Sequence, residues 1–155
     1  MPVPQSTSGV TLIEMMVVVT IIALIVAVSA PSISAGIDSV RMASASSSVA
    51  SFLNAAVNRA ERRQQPIELI VSPRQGTLTI YSIEPGFERQ LKMPDGIVIE
   101  AVLPKTEETE YRLVLMPGAS VPGIGIQLAN SRGGRRIVRL DPMTGFPRVE
   151  SVHSE

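Results

Sequence analysis

Glu14 is the one charged side chain in a long apolar segment that runs from Val10 to Ala30. About 20 apolar residues are enough for a helix to span a membrane. A carboxylate within a spanning helix costs about 2.5–3.5 kcal/mol at the bilayer centre, and less near an end. Glu14 is therefore predicted to have a function that requires a partner for its charge.

Arginines form a second group in the last quarter of the chain. Five of them lie close together in sequence: Arg132, Arg135, Arg136, Arg139 and Arg148. If Arg135 and Arg139 share one face of a strand, they form a positive strip that could contact phosphates, including those of DNA. No aromatic residue interleaves this run, so base stacking is not predicted. Charges that protect an edge strand from aggregation are the favoured interpretation.

The other polar groups do not form a catalytic or metal site by sequence. His153 is the only histidine and lies almost at the end of the chain, where nothing fixes a side chain. Glu107, Glu108 and Glu110 are interpreted as a solvated loop rather than a cation site. The segment 123–125 lacks the third glycine of a dinucleotide site, and cysteine is absent. We therefore expect no catalytic residues, no metal and no cofactor, and we expect that the chain is not an enzyme.

Composition describes a small aliphatic domain with an apolar appendage. The chain has 155 residues, 45% of them hydrophobic and only 3% aromatic. Its 14 basic and 14 acidic residues give no net charge. This balance predicts no global attraction for nucleic acid or acidic lipid.

The elements that position these groups begin with one long helix. Apolar residues recur at helical spacing after Pro31: Ile33, Ile37, Val40, Val49, Phe52, Leu53, Ala56, Val57 and Ala60. Small polar residues such as Ser46 and Ser47 lie between them, arginines occupy the last turns, and Pro66 ends the pattern. A helix from about Thr11 to Arg63 would be about 80 Å long. Its first half must enter a bilayer or a bundle of neighbouring copies, with Pro31 and Gly36 as the predicted places for a bend or local melting.

Strand patterns follow the helix. Apolar alternation and turn residues predict strands at 67–71, 77–81, 96–103, 111–116, 123–128, 135–140 and 148–150. The predicted fold is α+β, with a long N-terminal helix, transmembrane in its first half. Its second half is expected to pack on an antiparallel β-sheet domain.

Two ordinary interpretations of the apolar segment explain it less well. A secretory signal peptide normally has a basic start, but residues 1–9 contain neither Lys nor Arg. The small-residue site ending at Ala30 is followed by Pro31, which disfavours signal peptidase. A plain signal anchor accounts for the length of the segment but not for Glu14.

The residues from Gly9 to Glu14, GVTLIE, resemble the type IV prepilin cleavage motif. That motif has a glycine before the cut, a new N-terminal residue after it and a glutamate four residues further on. Pro31 lies where the family often has a helix-kinking proline. This chain has Val10 where the family usually has Phe, and its leader lacks the usual basic residue, so the membrane orientation follows from the resemblance alone.

The resemblance implies four segments: 1–9 as leader, 10–30 as transmembrane assembly helix, 31–65 as its amphipathic continuation and 66–155 as the β domain. It implies that prepilin peptidase cuts between Gly9 and Val10, and that Val10 is N-methylated. It further implies that Glu14 meets the N-terminal amine of a neighbouring subunit. The partners implied are the peptidase, other pilins or pseudopilins, an inner-membrane assembly platform and the lipid bilayer.

A long helix followed by an all-β domain is similar to the GspH/FimT class of minor pseudopilins and minor pilins. The segments 59–69 and 134–149 carry this similarity. It implies a minor pseudopilin of a type II secretion system, in the bacterial inner membrane with a periplasmic C-terminal domain. A minor type IV pilin with a role in adhesion or DNA uptake is the alternative, although nucleic acid is disfavoured as a partner. A membrane-anchored ligand-binding domain that never polymerises is the third hypothesis.

Overall fold

The computed structural model describes residues 9–82, 86–105 and 109–152, with the side chains of residues 30–35 outside that description. The described part contains one helix and eight strands. They are α1 Leu12–Arg63, β1 Ile67–Ser72, β2 Thr77–Ser82, β3 Glu88–Lys92, β4 Ile97–Leu103, β5 Tyr111–Leu115, β6 Gly125–Asn130, β7 Arg135–Leu140 and β8 Pro147–Val152. The predicted α+β class with a long N-terminal helix is confirmed.

Helix α1 ends where the sequence predicts. Gln64 follows Arg63 with a left-handed φ of 51°, and the Gln65 amide donates to the Ala60 carbonyl at 3.3 Å. This pairing satisfies a carbonyl that the helix end would otherwise leave free. Pro66 then separates the helix from β1, because it cannot continue the helix.

The chain divides into two compact units, residues 1–37 and 38–155. In the second unit, α1 contributes one face to the hydrophobic core: Met42, Ala45, Val49, Phe52, Leu53, Ala56 and Ala60. The predicted apolar stripe is therefore confirmed from Val49 onward. Ile37 and Val40 are exposed instead. Ser46, predicted to lie on the polar face, is buried, and its hydroxyl donates to the Met42 carbonyl at 2.7 Å.

The strands form two antiparallel sheets of four strands each, in the orders β3-β2-β1-β5 and β4-β6-β7-β8. Apolar residues of both sheets join the helix in a single core, among them Leu69, Ile80, Ile126, Leu128, Val138 and Leu140. The sequence patterns did not predict β3, since its residues, ERQLK, are mostly polar and show no alternation. Strand β6 begins later than predicted and β8 is longer.

Candidate functional site

The predicted cleavage junction lies just before α1, in exposed backbone. Gly9, Val10 and Thr11 precede the first helical residue, and Val10 is 67% exposed. A Cβ placed on Gly9 would meet no atom within 4 Å. The bond between Gly9 and Val10 therefore lies outside the helical hydrogen-bond ladder, in backbone that a peptidase could bind.

Thr11 caps the helix immediately after this junction. Its Oγ1 accepts a hydrogen bond from the Glu14 amide at 3.3 Å, and its carbonyl accepts one from the Met15 amide at 3.3 Å. Thr11 is therefore the N-cap of α1, and its hydroxyl satisfies an amide that the first helical turn would otherwise leave unpaired. The apolar pattern and the cleavage motif predict no role for Thr11, although a threonine three residues before Glu14, at the start of an apolar run, is a typical helix N-cap signal.

We expect Thr11→Ala to destabilise the first turn of α1 by about 1 kcal/mol, because an alanine side chain cannot accept a hydrogen bond from the Glu14 amide. Amide hydrogen exchange of Glu14 in the micelle-embedded chain should become about fivefold faster. Thr11→Ser keeps the hydroxyl and should leave the exchange rate nearly unchanged. Equal exchange in the Thr11→Ala and unaltered chains would contradict the capping role.

Glu14 lies in the first turn of α1, where the partial positive charge of the helix N-terminus favours an acidic side chain. The segment Leu12–Ser29 is the one helical stretch in the described residues that is long and apolar enough to cross a membrane, and none of it is buried within the chain. Within it, the Thr20 hydroxyl donates to the Met16 carbonyl at 2.7 Å. This segment is consistent with membrane anchoring. Pro31 lies within α1, but its side chain is outside the description, so the bend stays a prediction.

The arginines of the second candidate group are largely paired with acids. Nε of Arg132 lies 2.8 Å from Asp38 on α1, Nε of Arg135 lies 2.8 Å from Glu100, and Nε of Arg139 lies 3.9 Å from Glu150. Arg148 is 3.3 Å from Asp141. Arg136 forms no ion pair with the described residues.

Of these ion pairs, the one between Arg135 and Glu100 is joined by the most hydrogen bonds. The ladder of β4 shifts between Ile99 and Ala101, which makes Glu100 the extra residue of a bulge. Both oxygens of Glu100 accept hydrogen bonds from Arg135, and Gln127 donates to one of them at 2.7 Å. These bonds from the guanidinium hold the pKa of Glu100 below its ordinary value, and the carboxylate raises the pKa of Arg135.

The position of β7 corrects one interpretation of the arginine strip. Strand β7 lies between β6 and β8, so its arginines are not edge charges, and only Arg148 lies on an edge strand. Arg135 and Arg139 do share one face of β7, since strand side chains alternate. Their acidic partners compensate most of the positive charge on that face. A phosphate contact by this group stays a prediction.

Three further predicted residues, His153, Glu107 and Glu108, lie outside the described residues. Glu110 accepts a hydrogen bond from Ser72 at 3.2 Å and pairs with Arg112 at 3.3 Å. No group of three or more His, Cys, Asp or Glu in the described part of the chain could hold a metal ion.

Comparison with known proteins places the recognisable signal at the N-terminus. The family model of the prokaryotic N-terminal methylation motif matches residues 5–30. This match fits a type IV pilin-like or pseudopilin chain, and it supports the prediction that the chain is a substrate of prepilin peptidase. Residues 31–155, on which the GspH/FimT similarity depends, lie outside it. Neither the curated proteins nor the solved structures give a match to this chain.

Proposed function

We propose that this chain is a structural subunit of a type II secretion system, a minor pseudopilin of the GspH/FimT class. Prepilin peptidase would cut it after Gly9, and α1 would then assemble it into a periplasmic pseudopilus. One observation carries the proposal: an exposed, non-helical Gly9–Val10 bond is followed at once by a capped apolar helix with Glu14 in its first turn. The chain is the substrate of this reaction and not an enzyme.

Cleavage creates the charge that Glu14 needs. Hydrolysis of the Gly9–Val10 bond leaves an ammonium on Val10, which the family's chemistry then methylates without removing its charge. An ammonium and a carboxylate are each costly alone in a low-dielectric environment, and a close pair offsets much of that cost. Pairing of Glu14 with the Val10 amine of a neighbouring subunit would therefore set the register of subunit addition.

The proposal also assigns a location. The span 10–30 would anchor the chain once in the bacterial inner membrane before assembly, with the C-terminal domain in the periplasm. Its partners would be prepilin peptidase, the inner-membrane assembly platform and other pseudopilins that contact its N-terminal helix. Nucleic acid is disfavoured, because Arg132, Arg135 and Arg139 are already paired with carboxylates.

N-terminal mass analysis of the membrane-extracted chain tests the processing step, on which the proposed role depends. We expect a mature chain that begins at Val10 and carries an added N-methyl group. Gly9→Val is the matched control, because a side chain at this position meets no neighbouring atom and its effect must come from the peptidase. That variant should remain uncut. A chain that begins at Met1 or Pro31 in the unaltered protein would overturn the proposal.

A minor type IV pilin is the second candidate, because the same N-terminal motif serves pilins and pseudopilins. The unpaired state of Arg136 within the described residues is the one observation that favours a phosphate-binding role. Neighbouring genes for a secretin and a secretion ATPase would favour the pseudopilin. Genes for pilus retraction would favour the pilin.

A further inference from the structure

Strand β8 is an exposed edge of the second sheet. It pairs only with β7 among the described strands, and all its residues after Pro147 are exposed. Such an edge presents unpaired amides and carbonyls to which another strand can add.

The main-chain direction along β8 can be read from its neighbours. The Leu140 amide donates to Ile124 on the β6 side at 2.8 Å, and the Asp141 amide donates to Phe146 on the β8 side at 3.1 Å. Because amides alternate in direction along a strand, the odd-numbered residues of β7 face β8. Their partners Arg148, Glu150 and Val152 then use their main-chain groups within the sheet. Pro147, Val149 and Ser151 direct theirs outward.

The sequence of this edge is complementary to itself. When two copies of β8 pair antiparallel about Val149, Arg148 of each copy lies opposite Glu150 of the other. Arg148 pairs with Asp141 and Glu150 with Arg139 inside one chain, but both side chains stay exposed, at 68% and 52%. Opposite charges directly across an antiparallel pair are stabilising. The apolar Val149 side chains, each 43% exposed, would meet on the other face of the sheet.

The main-chain groups agree with this register. Two Val149 residues with outward amides and carbonyls can exchange both hydrogen bonds. Each Ser151 amide can donate to the Pro147 carbonyl of the other copy. Proline has no N–H, so the Ser151 carbonyl receives no hydrogen bond from Pro147. This weakens the pairing but does not prevent it.

The other edge strands fit less well. The bulge at Glu100 interrupts the edge of β4. Antiparallel pairing about the midpoint of β3 would place Glu88 opposite Lys92 but Arg89 opposite Leu91, and the same arrangement of β5 would place Arg112 opposite Val114. We propose that β8 is the interaction surface for a second copy of this chain, and that two domains join through β8 into one continuous sheet. This inference is independent of the secretion role.

Cysteine cross-linking of the full-length chain in membranes tests the register. The chain has no native cysteine, so Val149→Cys provides a single thiol. Hydrogen-bonded antiparallel partners have Cα atoms about 5.5 Å apart, within the range that a disulfide bridges. Mild oxidation should give a disulfide-linked dimer. Val114→Cys, on the edge strand β5 of the other sheet with a similar exposure of 47%, should give about tenfold less dimer.

Charge exchange then tests the complementarity. In the Val149→Cys chain, Glu150→Arg places arginines opposite each other and should reduce the dimer at least about fivefold. Adding Arg148→Glu restores opposite charges and should restore the dimer. Val149→Cys yielding no more dimer than Val114→Cys would overturn the inference. Failure of the charge exchange to restore the cross-link, in a chain whose circular dichroism matches that of the Val149→Cys chain, would also overturn it.

Discussion

Replacement of Leu53 by alanine should lower the free energy of unfolding by about 3–4 kcal/mol, because it leaves a cavity in a core that cannot close around it. Leu53 on α1 is fully buried in the single hydrophobic core to which both sheets contribute. The core is almost entirely aliphatic and the chain has no disulfide. A single lost side chain therefore removes a large share of the stability of this domain.

Chemical unfolding of the detergent-solubilised chain, followed by circular dichroism, measures this effect. Val40→Ala is the matched control on the same helix, because Val40 is 69% exposed. Its effect should stay within about 0.5 kcal/mol. Equal effects of the two substitutions would contradict the assignment of Leu53 to the core and of Val40 to the surface.

The different positions of Leu53 and Val40 show where sequence patterns stop being informative. Both fit the helical apolar spacing, and the pattern predicted both as part of one buried stripe. Within the second unit, Val40 is exposed and the buried stripe of α1 begins at Met42. A periodicity shows which residues share a helix face, but it does not show how much of that face another element covers.

The helix end was predictable because its signals are local. Arg62 and Arg63 in the last turn, followed by Pro66, indicate the boundary without any tertiary information. The division of eight strands into two sheets was not predictable, because alternation does not determine which strands are neighbours. Strand β3 has few apolar residues, and its pairing with β2 is what defines it.

The two candidate sites also differ in whether their signals are local in sequence. Gly9, Val10 and Glu14 belong to one short motif, so sequence alone could identify them. The ion pairs of the arginines could not be predicted, because Arg135 and Glu100 are 35 residues apart and lie on strands whose places in the sheet alternation does not determine. Without these pairs, the run of arginines is indistinguishable from a free positive strip.

We expect Glu14→Gln to prevent incorporation into a filament while cleavage after Gly9 continues. Glutamine keeps the size of the side chain. The cap persists because Thr11 Oγ1 accepts its hydrogen bond from the main-chain amide of residue 14, which the change leaves in place. The change therefore removes only the charge. Loss of one partner from a buried pair costs about 3–5 kcal/mol, so incorporation should fall at least about 100-fold.

Quantification of the processed chain in the filament fraction and in the membrane fraction measures this loss. Thr20→Val is the matched control, since it removes a polar group from the same span without changing charge. It should leave both fractions as they are in the unaltered chain. If the Glu14→Gln chain were found in filaments at the level of the unaltered chain, the proposed pairing of Glu14 with a neighbouring amine would be contradicted. If the unaltered chain also stayed entirely in the membrane, a membrane-anchored domain that does not polymerise would be favoured, because Glu14 would then have no neighbouring amine to meet.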